Sequence, residues 1–332
     1  MKQKRYFRTF IKFNSILVLA GLLHTACTED LSSGMTESPI TFTIDGNSFE
    51  GSGITRGAQV GSISNFGVSA SVYDKDAVGG YTSAGCGSYF YNQSATNGTP
   101  MNYYWPTANY KMSFYAYYPY GSSDFILQSS ANSNGSPTYS YTVPETIASQ
   151  IDVMTVQRTD MLCGPQAAVS LSFAHRCTDI RFTAHNQQND VLTVKSVSVY
   201  GVKYAGTLTG SSWTLTGSPN SSSSHPFTLS MTTNVASEAT VDLTGASNHF
   251  LMLPQTIAAG TDLFVIKTIE DSEERTYTYT LPSITTWEMG KTYTYALTLG
   301  NGSLTISSVS VVDWQAVIPI TGTFSVNNWT AQ

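Results

Sequence analysis

The stretch Thr292-Tyr293-Thr294-Tyr295-Ala296-Leu297-Thr298-Leu299 alternates large apolar residues with smaller ones. Successive side chains of a β-strand point to opposite faces of a sheet, so the two tyrosines and two leucines of this stretch share one face. The same period recurs in most patterned segments, whereas no run of ten or more residues convincingly follows the helical period of 3.6. The sequence therefore predicts an all-β protein.

Further strands are predicted wherever this alternation recurs between turn-forming residues. They are the segments with Ile40, Phe42 and Ile44, with Phe66, Val68, Ala70 and Val72, and the runs Val191–Tyr200, Leu263–Thr268 and Leu304–Val312. Glycine-rich breaks such as Gly300-Asn301-Gly302 separate them. Short strands with frequent turns favour β-sandwiches over units in which helices connect the strands.

The length of the chain suggests two domains. About 305 residues follow position 26, enough for two domains that each bury a core. The turn cluster Cys163-Gly164-Pro165 lies between two patterned segments and is taken as the boundary. The prediction is an N-terminal domain of residues 57–164 and a C-terminal domain of residues 165–314.

The N-terminus has the pattern of an export signal. Five Lys and Arg residues between Lys2 and Lys12 precede the apolar segment Phe13–Leu23, and Cys27 follows. The apolar segment is shorter than the ~20 residues that a membrane-spanning helix needs, and small residues precede the cysteine. Residues 1–26 resemble a bacterial lipoprotein signal peptide, which implies that Cys27 is acylated and becomes the first mature residue. A plain secretory signal and a retained membrane helix are the weaker alternatives.

Removal of residues 1–26 changes the charge balance. It takes away five of the sixteen Lys and Arg residues and no acidic ones, which leaves 11 basic against 22 acidic residues and a formal charge of −11. Such a chain repels nucleic acid and anionic lipid, so no nucleic-acid partner is expected. Charged residues make up 11% of the chain, against roughly 25% in ordinary globular domains. This composition is typical of an extracellular β protein.

The cysteines allow little cross-linking. If Cys27 is acylated, Cys86, Cys163 and Cys177 remain, so at most one intramolecular disulfide can form. Cys163 and Cys177 are the closest pair, but three unbridged thiols are the favoured state.

Neither a metal nor another cofactor is expected. Cys163, His175, Cys177 and His185 lack the tight pairs that structural zinc sites show. The segment Asp74-Lys75-Asp76 begins like a calcium loop but does not continue as one, so a surface turn is predicted there.

The sequence also lacks recognisable catalytic machinery. It contains no G-x-S-x-G, P-loop, H-E-x-x-H or dinucleotide fingerprint, and its acidic residues are too scattered to nominate a catalytic pair. No catalytic residues are therefore assigned, and the protein is predicted not to be an enzyme.

An aromatic run at Tyr103-Tyr104-Trp105, followed by the segment 110–119, has two interpretations. Exposed rings would form a platform on which a glycan stacks. The favoured interpretation is a strand with Met112, Phe114 and Ala116 inward and its tyrosines covering the sheet.

Five motifs follow one another along the chain. They are Tyr104-Trp105-Pro106 with Lys111 to Pro119, Asp152-Val153-Met154 with Val169 to His175, Leu253-Pro254-Gln255, Trp287 to Tyr295, and Val312-Asp313-Trp314. Together they resemble the fimbrillin family of Bacteroidales, the lipoprotein-derived subunits of type V pili. The resemblance implies two transthyretin-like β-sandwich domains in tandem and a structural subunit of a cell-surface fimbria with a role in adhesion.

The resemblance also implies a route of assembly. In the family, an extracellular arginine-specific protease removes the lipidated N-terminal segment with its first strand, and a strand of a neighbouring subunit fills the groove. The implied partners are this protease, other fimbrillin subunits in a head-to-tail polymer, and host or bacterial surface ligands. The implied location is the outer membrane for the lipid-anchored precursor and then the extracellular fimbrium. The alternative is a non-polymerising surface lipoprotein that binds a glycan through Tyr103, Tyr104 and Trp105.

Residues 27–56 are the predicted propeptide. Arg56 is the only basic residue between Cys27 and Lys75, and it lies in a glycine-containing stretch that a protease can reach. Cleavage is therefore predicted between Arg56 and Gly57, with an ordinary loop arginine as the alternative.

Two segments are predicted to exchange. The displaced first strand has three apolar residues on one face, namely Ile40, Phe42 and Ile44. The tail, residues 315–332, repeats this alternation within Val317–Val326, through Ile318, Ile320, Phe324 and Val326. The tail is predicted to be the donor strand, and the alternative is that it completes the sheet of its own C-terminal domain.

Overall fold

A computed structural model of the protein describes residues 35–44, 63–80, 87–128 and 137–314. Strands form nearly all of the regular structure in these ranges, and they pack as β-sandwiches. The predicted all-β class is confirmed. The described part of the chain has no helix that is both long and apolar enough to cross a membrane.

Twenty-three strands occur in the described residues, and a 3₁₀ turn at Ile147–Ser149 lies between the seventh and the eighth. The strands are β1 (Met35–Ile44), β2 (Asn65–Asp74), β3 (Gly87–Thr96), β4 (Pro100–Pro106), β5 (Tyr110–Tyr118), β6 (Phe125–Leu127), β7 (Thr138–Thr142), β8 (Met154–Leu162), β9 (Val169–Leu171), β10 (Ala174–His175), β11 (Thr178–Asn186), β12 (Leu192–Val199), β13 (Ala205–Thr209), β14 (Ser212–Thr216), β15 (Phe227–Val235), β16 (Thr240–Asp242), β17 (Phe250–Met252), β18 (Gln255–Ile257), β19 (Asp262–Glu270), β20 (Glu273–Thr280), β21 (Thr285–Trp287), β22 (Lys291–Gly300) and β23 (Ser303–Asp313).

The first sandwich consists of a three-stranded and a five-stranded sheet. Their strand orders are β4-β1-β9 and β10-β8-β5-β2-β3. Side chains from both sheets meet in one core, where Phe42 of β1, Phe66 of β2 and Phe114 of β5 are buried together. The face of β2 that the alternation predicts to be apolar is the face that enters this core.

The second sandwich is built from the C-terminal half of the chain. Its sheets have the orders β16-β11-β22-β23, with β17 also paired to β11, and β15-β12-β19-β20. Phe182 of β11 and Phe264 of β19 meet across the core with ring centroids 4.9 Å apart and planes at 88°. The tyrosines and leucines of the 292–299 stretch lie in this core, because β22 is a central strand between β11 and β23.

A further sheet joins the two halves of the chain. Its order is β14-β13-β7-β6, so strands from residues 125–142 pair with strands from residues 205–216. Tyr139 and Tyr141 of β7 belong to the second core, whereas Val169 and Leu171 of β9 belong to the first. The two cores therefore interleave along the chain, and the boundary near residue 164 stays a prediction.

The strand β5 differs from its predicted pattern. Met112 and Phe114 face the first core as expected, but Tyr115, Tyr117 and Tyr118 are buried as well. Tyr117 belongs to the second core. Both faces of β5 are thus covered by protein, so the tyrosines predicted to cover the sheet are themselves buried.

Candidate functional site

The strand β1 lies in the middle of its sheet, between β4 and β9. It runs antiparallel to β4, with Pro39 opposite Tyr104, and parallel to β9, with Phe42 opposite Val169. Both neighbours are far from β1 in the sequence. Two rows of main-chain N–H and C=O groups therefore face β1, one on each side, and rely on it for hydrogen bonds.

Two side chains of β1 reach the centre of the first core. Ile40 and Phe42 have no exposed surface, and the Phe42 ring meets the edges of Phe66 and Phe114 at centroid distances of 6.0 and 5.2 Å. Ile44 is half-buried and packs against the same core. Burial of such a side chain contributes about 1.5–3 kcal/mol. The strand is thus an integral part of the sandwich.

The turn between β3 and β4 holds the end of β1. The Gly98 N–H donates to the carbonyl oxygen of Phe42 at 2.8 Å, and the Ile44 N–H donates to the Asn97 side-chain oxygen at 3.1 Å. These bonds fix where β1 ends relative to the core. The same donor and acceptor would be available to another strand in this place.

The place of β1 has the chemistry of a strand-binding groove. Without β1, β4 and β9 would present unpaired main-chain groups, and the core side chains below them would be open. A buried polar group without a partner costs about 1–3 kcal/mol, and an open sheet edge readily binds an added strand. In this structure the chain's own residues 35–44 close the groove.

The tail begins beside a buried cluster that sequence reasoning missed. Trp314 is 5% exposed, and its ring stacks on His175 with centroids 4.2 Å apart. The main-chain N–H of Trp314 donates to the Gly290 carbonyl oxygen at 2.8 Å. His175 in turn lies 2.8 Å from Asp152, between Nδ1 and Oδ1. The cluster fixes Trp314, the last described residue before the predicted tail. The motif Val312-Asp313-Trp314 marks the tryptophan, but nothing in it indicates partners so far away in the sequence.

The sequence model of a protein family described as fimbrillin-like matches residues 55–314. The chain belongs to this fimbrillin-like family. Membership confirms the resemblance and indicates a structural, non-enzymatic fimbrial protein of the cell surface. The matched region of this fimbrillin-like protein starts after β1 and ends at Trp314, so β1 and the tail both lie outside it.

Three solved structures also match the chain. A candidate cell adhesion protein from Bacteroides ovatus is 18% identical with a TM-score of 0.50, and the alignment covers 84% of this chain and 98% of that one. A candidate cell adhesion protein from Bacteroides uniformis is 16% identical with a TM-score of 0.45, covering 83% and 99%. A fimbrial assembly protein from Parabacteroides distasonis is 13% identical with a TM-score of 0.37, covering 76% and 92%. No curated protein matches the fimbrillin-like chain. The structure from Bacteroides ovatus supports the fold of this chain and nothing beyond the fold.

Several predicted site residues of the fimbrillin-like protein lie outside the described residues. They are the lipidation residue Cys27, the cleavage residues Arg56 and Gly57, and the donor-strand residues Ile318, Ile320, Phe324 and Val326. Each of these assignments stays a prediction.

The four residues considered as a zinc set in this fimbrillin-like protein, Cys163, His175, Cys177 and His185, do not form a common site in the described part of the chain. Cys163 and Cys177 are buried free thiols in different cores, and burial raises the pKa of Cys163 to about 12 and also raises the pKa of Cys177. His175 and His185 have separate polar partners. Within the described ranges, no group of three or more His, Cys, Asp and Glu side chains could hold a metal ion. Cys86 lies outside those ranges.

The three rings of the predicted glycan platform are not exposed together. Trp105 has no exposed surface, and its ring meets Phe114 edge-on in the first core at 5.6 Å. Tyr104 is 40% exposed, while Tyr103 is half-buried and packs against Phe90 at 4.6 Å. The structure therefore corrects the assignment of Trp105 as a glycan-stacking residue of this fimbrillin-like protein, because its ring is part of the core.

Proposed function

We propose that this protein is a polymerising fimbrial subunit whose first strand is exchanged. In the precursor, an acylated Cys27 anchors the protein to the outer membrane and β1 closes its own groove. An extracellular arginine-specific protease cleaves between Arg56 and Gly57, and β1 leaves. The segment Val317–Val326 of a neighbouring subunit then enters the groove. Repeated addition makes a filament that adheres to host or bacterial surfaces.

The observation that carries the proposal is the position of β1 between β4 and β9. Loss of β1 removes Ile40 and Phe42 from the core and unpairs the main chains of both neighbours. Two such side chains contribute about 1.5–3 kcal/mol each, and whole domains are stable by only about 5–15 kcal/mol. A subunit without β1 therefore gains much free energy by binding a replacement strand.

The connection of β1 to the rest of the protein supports the same proposal. Residues 45–64, which include Arg56, link β1 to β2, and these two strands belong to different sheets. After cleavage at Arg56 only non-covalent contacts would hold β1. A single cut can thus convert a permanent strand into a replaceable one.

Digestion of the mature protein with an arginine-specific protease tests the proposal. We expect N-terminal sequencing to give Gly57 as the new terminus and negative-stain electron microscopy to show filaments. The variant Arg56→Gln is the matched control and should remain uncut and monomeric. A trimmed protein that stays folded and monomeric would contradict strand exchange, and a new terminus elsewhere would contradict the cleavage site.

Deletion of residues 315–332 separates the two roles considered for the tail. A donor tail predicts a folded, soluble protein that is trimmed normally and forms no filaments. Loss of folding, or filaments that persist, would reject the assignment of the tail as donor.

The lipid anchor has its own test. Cys27→Ser is expected to move the precursor from the membrane fraction to the soluble fraction, because stable anchoring requires two or more acyl chains on the protein. Cell fractionation and immunoblotting measure the distribution. Unchanged membrane retention would contradict acylation of Cys27.

A further inference from the structure

A segment of the tail resembles residues 38–44 of β1 in sequence. The strand reads Ser38-Pro39-Ile40-Thr41-Phe42-Thr43-Ile44, and the tail reads Ile318-Pro319-Ile320-Thr321-Gly322-Thr323-Phe324. Four of the seven positions are identical, and the tripeptide Pro-Ile-Thr occurs nowhere else in the sequence. A donor strand in general needs only alternating apolar residues. The shared tripeptide is therefore more than strand exchange alone requires.

Proline restricts how a strand can fit into this groove. It has no N–H to donate, so it is rare in a strand that has neighbours on both sides. The strand β1 has two neighbours and still carries Pro39. Its pairing with β4 is irregular on both sides of Pro39, and its pairing with β9 begins only at Phe42. The groove thus accepts a proline at this place, where the regular ladder is interrupted.

We infer that residues 318–324 of one copy take the place of residues 38–44 in a second copy of the same chain, with Pro319 in the place of Pro39. The inference rests on the proposed function and adds the partner and the register to it. The partner is another copy of this chain, because the tail reproduces the strand around which its own groove is folded. A tail matched to the groove of a different subunit would not need to repeat this strand.

The register determines which side chains enter the core. Ile320 takes the place of Ile40, which has no exposed surface in this structure. Gly322 takes the place of Phe42, so the ring that meets Phe66 is not replaced. The tail therefore fills the groove less completely than β1 does. Cleavage must release β1 before the tail can compete with it.

Two neighbouring registers also keep apolar side chains inward. In one of them Phe324 takes the place of Phe42, and in the other Ile320 takes it. Pro319 then falls two residues before or two residues after the place of Pro39. Both registers lose the match of Pro-Ile-Thr and move the proline away from the place where the groove accepts it.

Disulfide trapping distinguishes the three registers. Thr43 of β1 lies opposite Ser170 of β9, so the residue that replaces Thr43 comes within cross-linking distance of position 170. Mature full-length proteins with Ser170→Cys and Cys86→Ser are trimmed with the arginine-specific protease, oxidised mildly and separated without reductant. They differ only in the second cysteine, which is Thr321→Cys, Thr323→Cys or Ser325→Cys.

With Thr323→Cys, the inferred register predicts a ladder of disulfide-linked dimers and larger species on the non-reducing gel. With Thr321→Cys or Ser325→Cys, it predicts no ladder. A ladder from Thr321→Cys or Ser325→Cys, or filaments without any cross-link, overturns the register and leaves strand exchange intact. A cross-link within single copies would show that the tail occupies its own groove, and would contradict a second copy as the partner. Trimmed protein that forms no filaments contradicts the proposed function and the inference together.

Two controls establish that the cross-link reports the groove. In the untrimmed chain, Thr43→Cys with Ser170→Cys should form a link within one copy, because these residues are neighbours. Arg56→Gln added to the Thr323→Cys protein should abolish the ladder, because β1 stays in place. Cys163 and Cys177 are buried and can remain.

Discussion

Substitution of Phe42 tests how much the packing of β1 stabilises the untrimmed protein. Phe42→Ala is expected to lower the free energy of unfolding of the untrimmed protein by about 3–5 kcal/mol, because the ring is fully buried against Phe66 and Phe114. Urea denaturation measures the change. Thr43→Ala, on the opposite face of the same strand, is the control and should cost within about 0.5 kcal/mol. Equal effects of the two substitutions would contradict the packing of β1.

A buried carboxylate makes the second sandwich sensitive to acid. Asp179 has no exposed surface, and its Oδ2 accepts hydrogen bonds from Arg181 at 2.7 Å and Thr292 at 3.0 Å. Its Oδ1 lies 3.3 Å from Nδ1 of His249. Burial raises the pKa of Asp179, but His249 and then Arg181 outweigh burial and hold the pKa below its usual value.

Asp179→Asn is expected to destabilise the protein by about 3–5 kcal/mol at neutral pH, because it breaks a buried ion pair. The folded pKa lies below the unfolded value of about 3.9, so the carboxylate stabilises the protein above about pH 4 and this contribution is lost as the pH falls through the folded pKa. The difference between variant and wild type should therefore shrink below about pH 4. Urea denaturation as a function of pH measures it.

The exposed residue Asp313 supplies the control for this pH series. Asp313→Asn removes an ion pair with Lys291 at the surface, which is worth about 0–1 kcal/mol. Its effect should stay small at every pH. A loss from Asp179→Asn that is constant across the whole pH range would contradict the assigned role of the carboxylate.

At the scale of elements, the proposed donor strand can be altered to fit the groove better. Gly322→Phe is expected to stabilise trimmed filaments by about 1.5–3 kcal/mol per interface, because the inferred register brings the new ring to the place of Phe42. Thr321→Phe puts the same ring on the opposite face and should give no gain. The urea concentration that releases monomers, followed by light scattering, measures the effect. Equal resistance of the two variants would argue against the register.

The positions of two strands could be predicted closely from alternation in the sequence. The predicted runs Val191–Tyr200 and Thr292–Leu299 correspond to Leu192–Val199 and Lys291–Gly300 within one residue at each end. Alternation reports directly that one face is buried and the other is not. The strand β5 is buried on both faces, so its aromatic residues gave no alternation from which its surroundings could be inferred.

The candidate site was predictable in its parts and not in its arrangement. The inward faces of Ile40 and Phe42 follow from alternation, and the structure buries both. The place of β1 between β4 and β9 depends on pairing between distant segments, and periodicity carries no information about such partners. The burial of Trp105 agrees with the favoured core interpretation of its aromatic run, but composition alone does not distinguish a ring on the surface from one in a core.

At the scale of the whole molecule, the sheet β14-β13-β7-β6 ties the two halves together. We expect β2 and β22, which lie in different sandwiches, to lose hydrogen-exchange protection in a single urea transition. The reason is that β5 pairs with β2 in the first sandwich, while its Tyr117 packs in the second core against Phe125 and Tyr139 of the shared sheet. Hydrogen exchange with mass spectrometry measures each strand separately. Two separate transitions would contradict this coupling.

A substitution in the shared sheet tests whether the two sandwiches unfold together. A Cβ atom at Gly206 of β13 would lie 2.9 Å from the Thr214 carbonyl oxygen, so Gly206→Ala should destabilise the protein by about 1–3 kcal/mol and shift both strands equally. A Cβ atom at Gly87 meets nothing within 4 Å, so Gly87→Ala is the matched control and should leave the transitions unchanged. A shift of only one strand would show that the two sandwiches unfold independently.

Because β1 is hydrogen-bonded on both sides, a fibre that uses this groove would resist pulling forces. Tension between copies would reach the bound tail at the end nearest Trp314 and act along its length. The bonds to β4 and to β9 would then carry the load in shear and at the same time, whereas a strand peeled from a single sheet edge loses its bonds one after another. Rupture would require both rows to give way together, which slows the forced dissociation rate. Such a link is suited to an appendage that works under fluid drag.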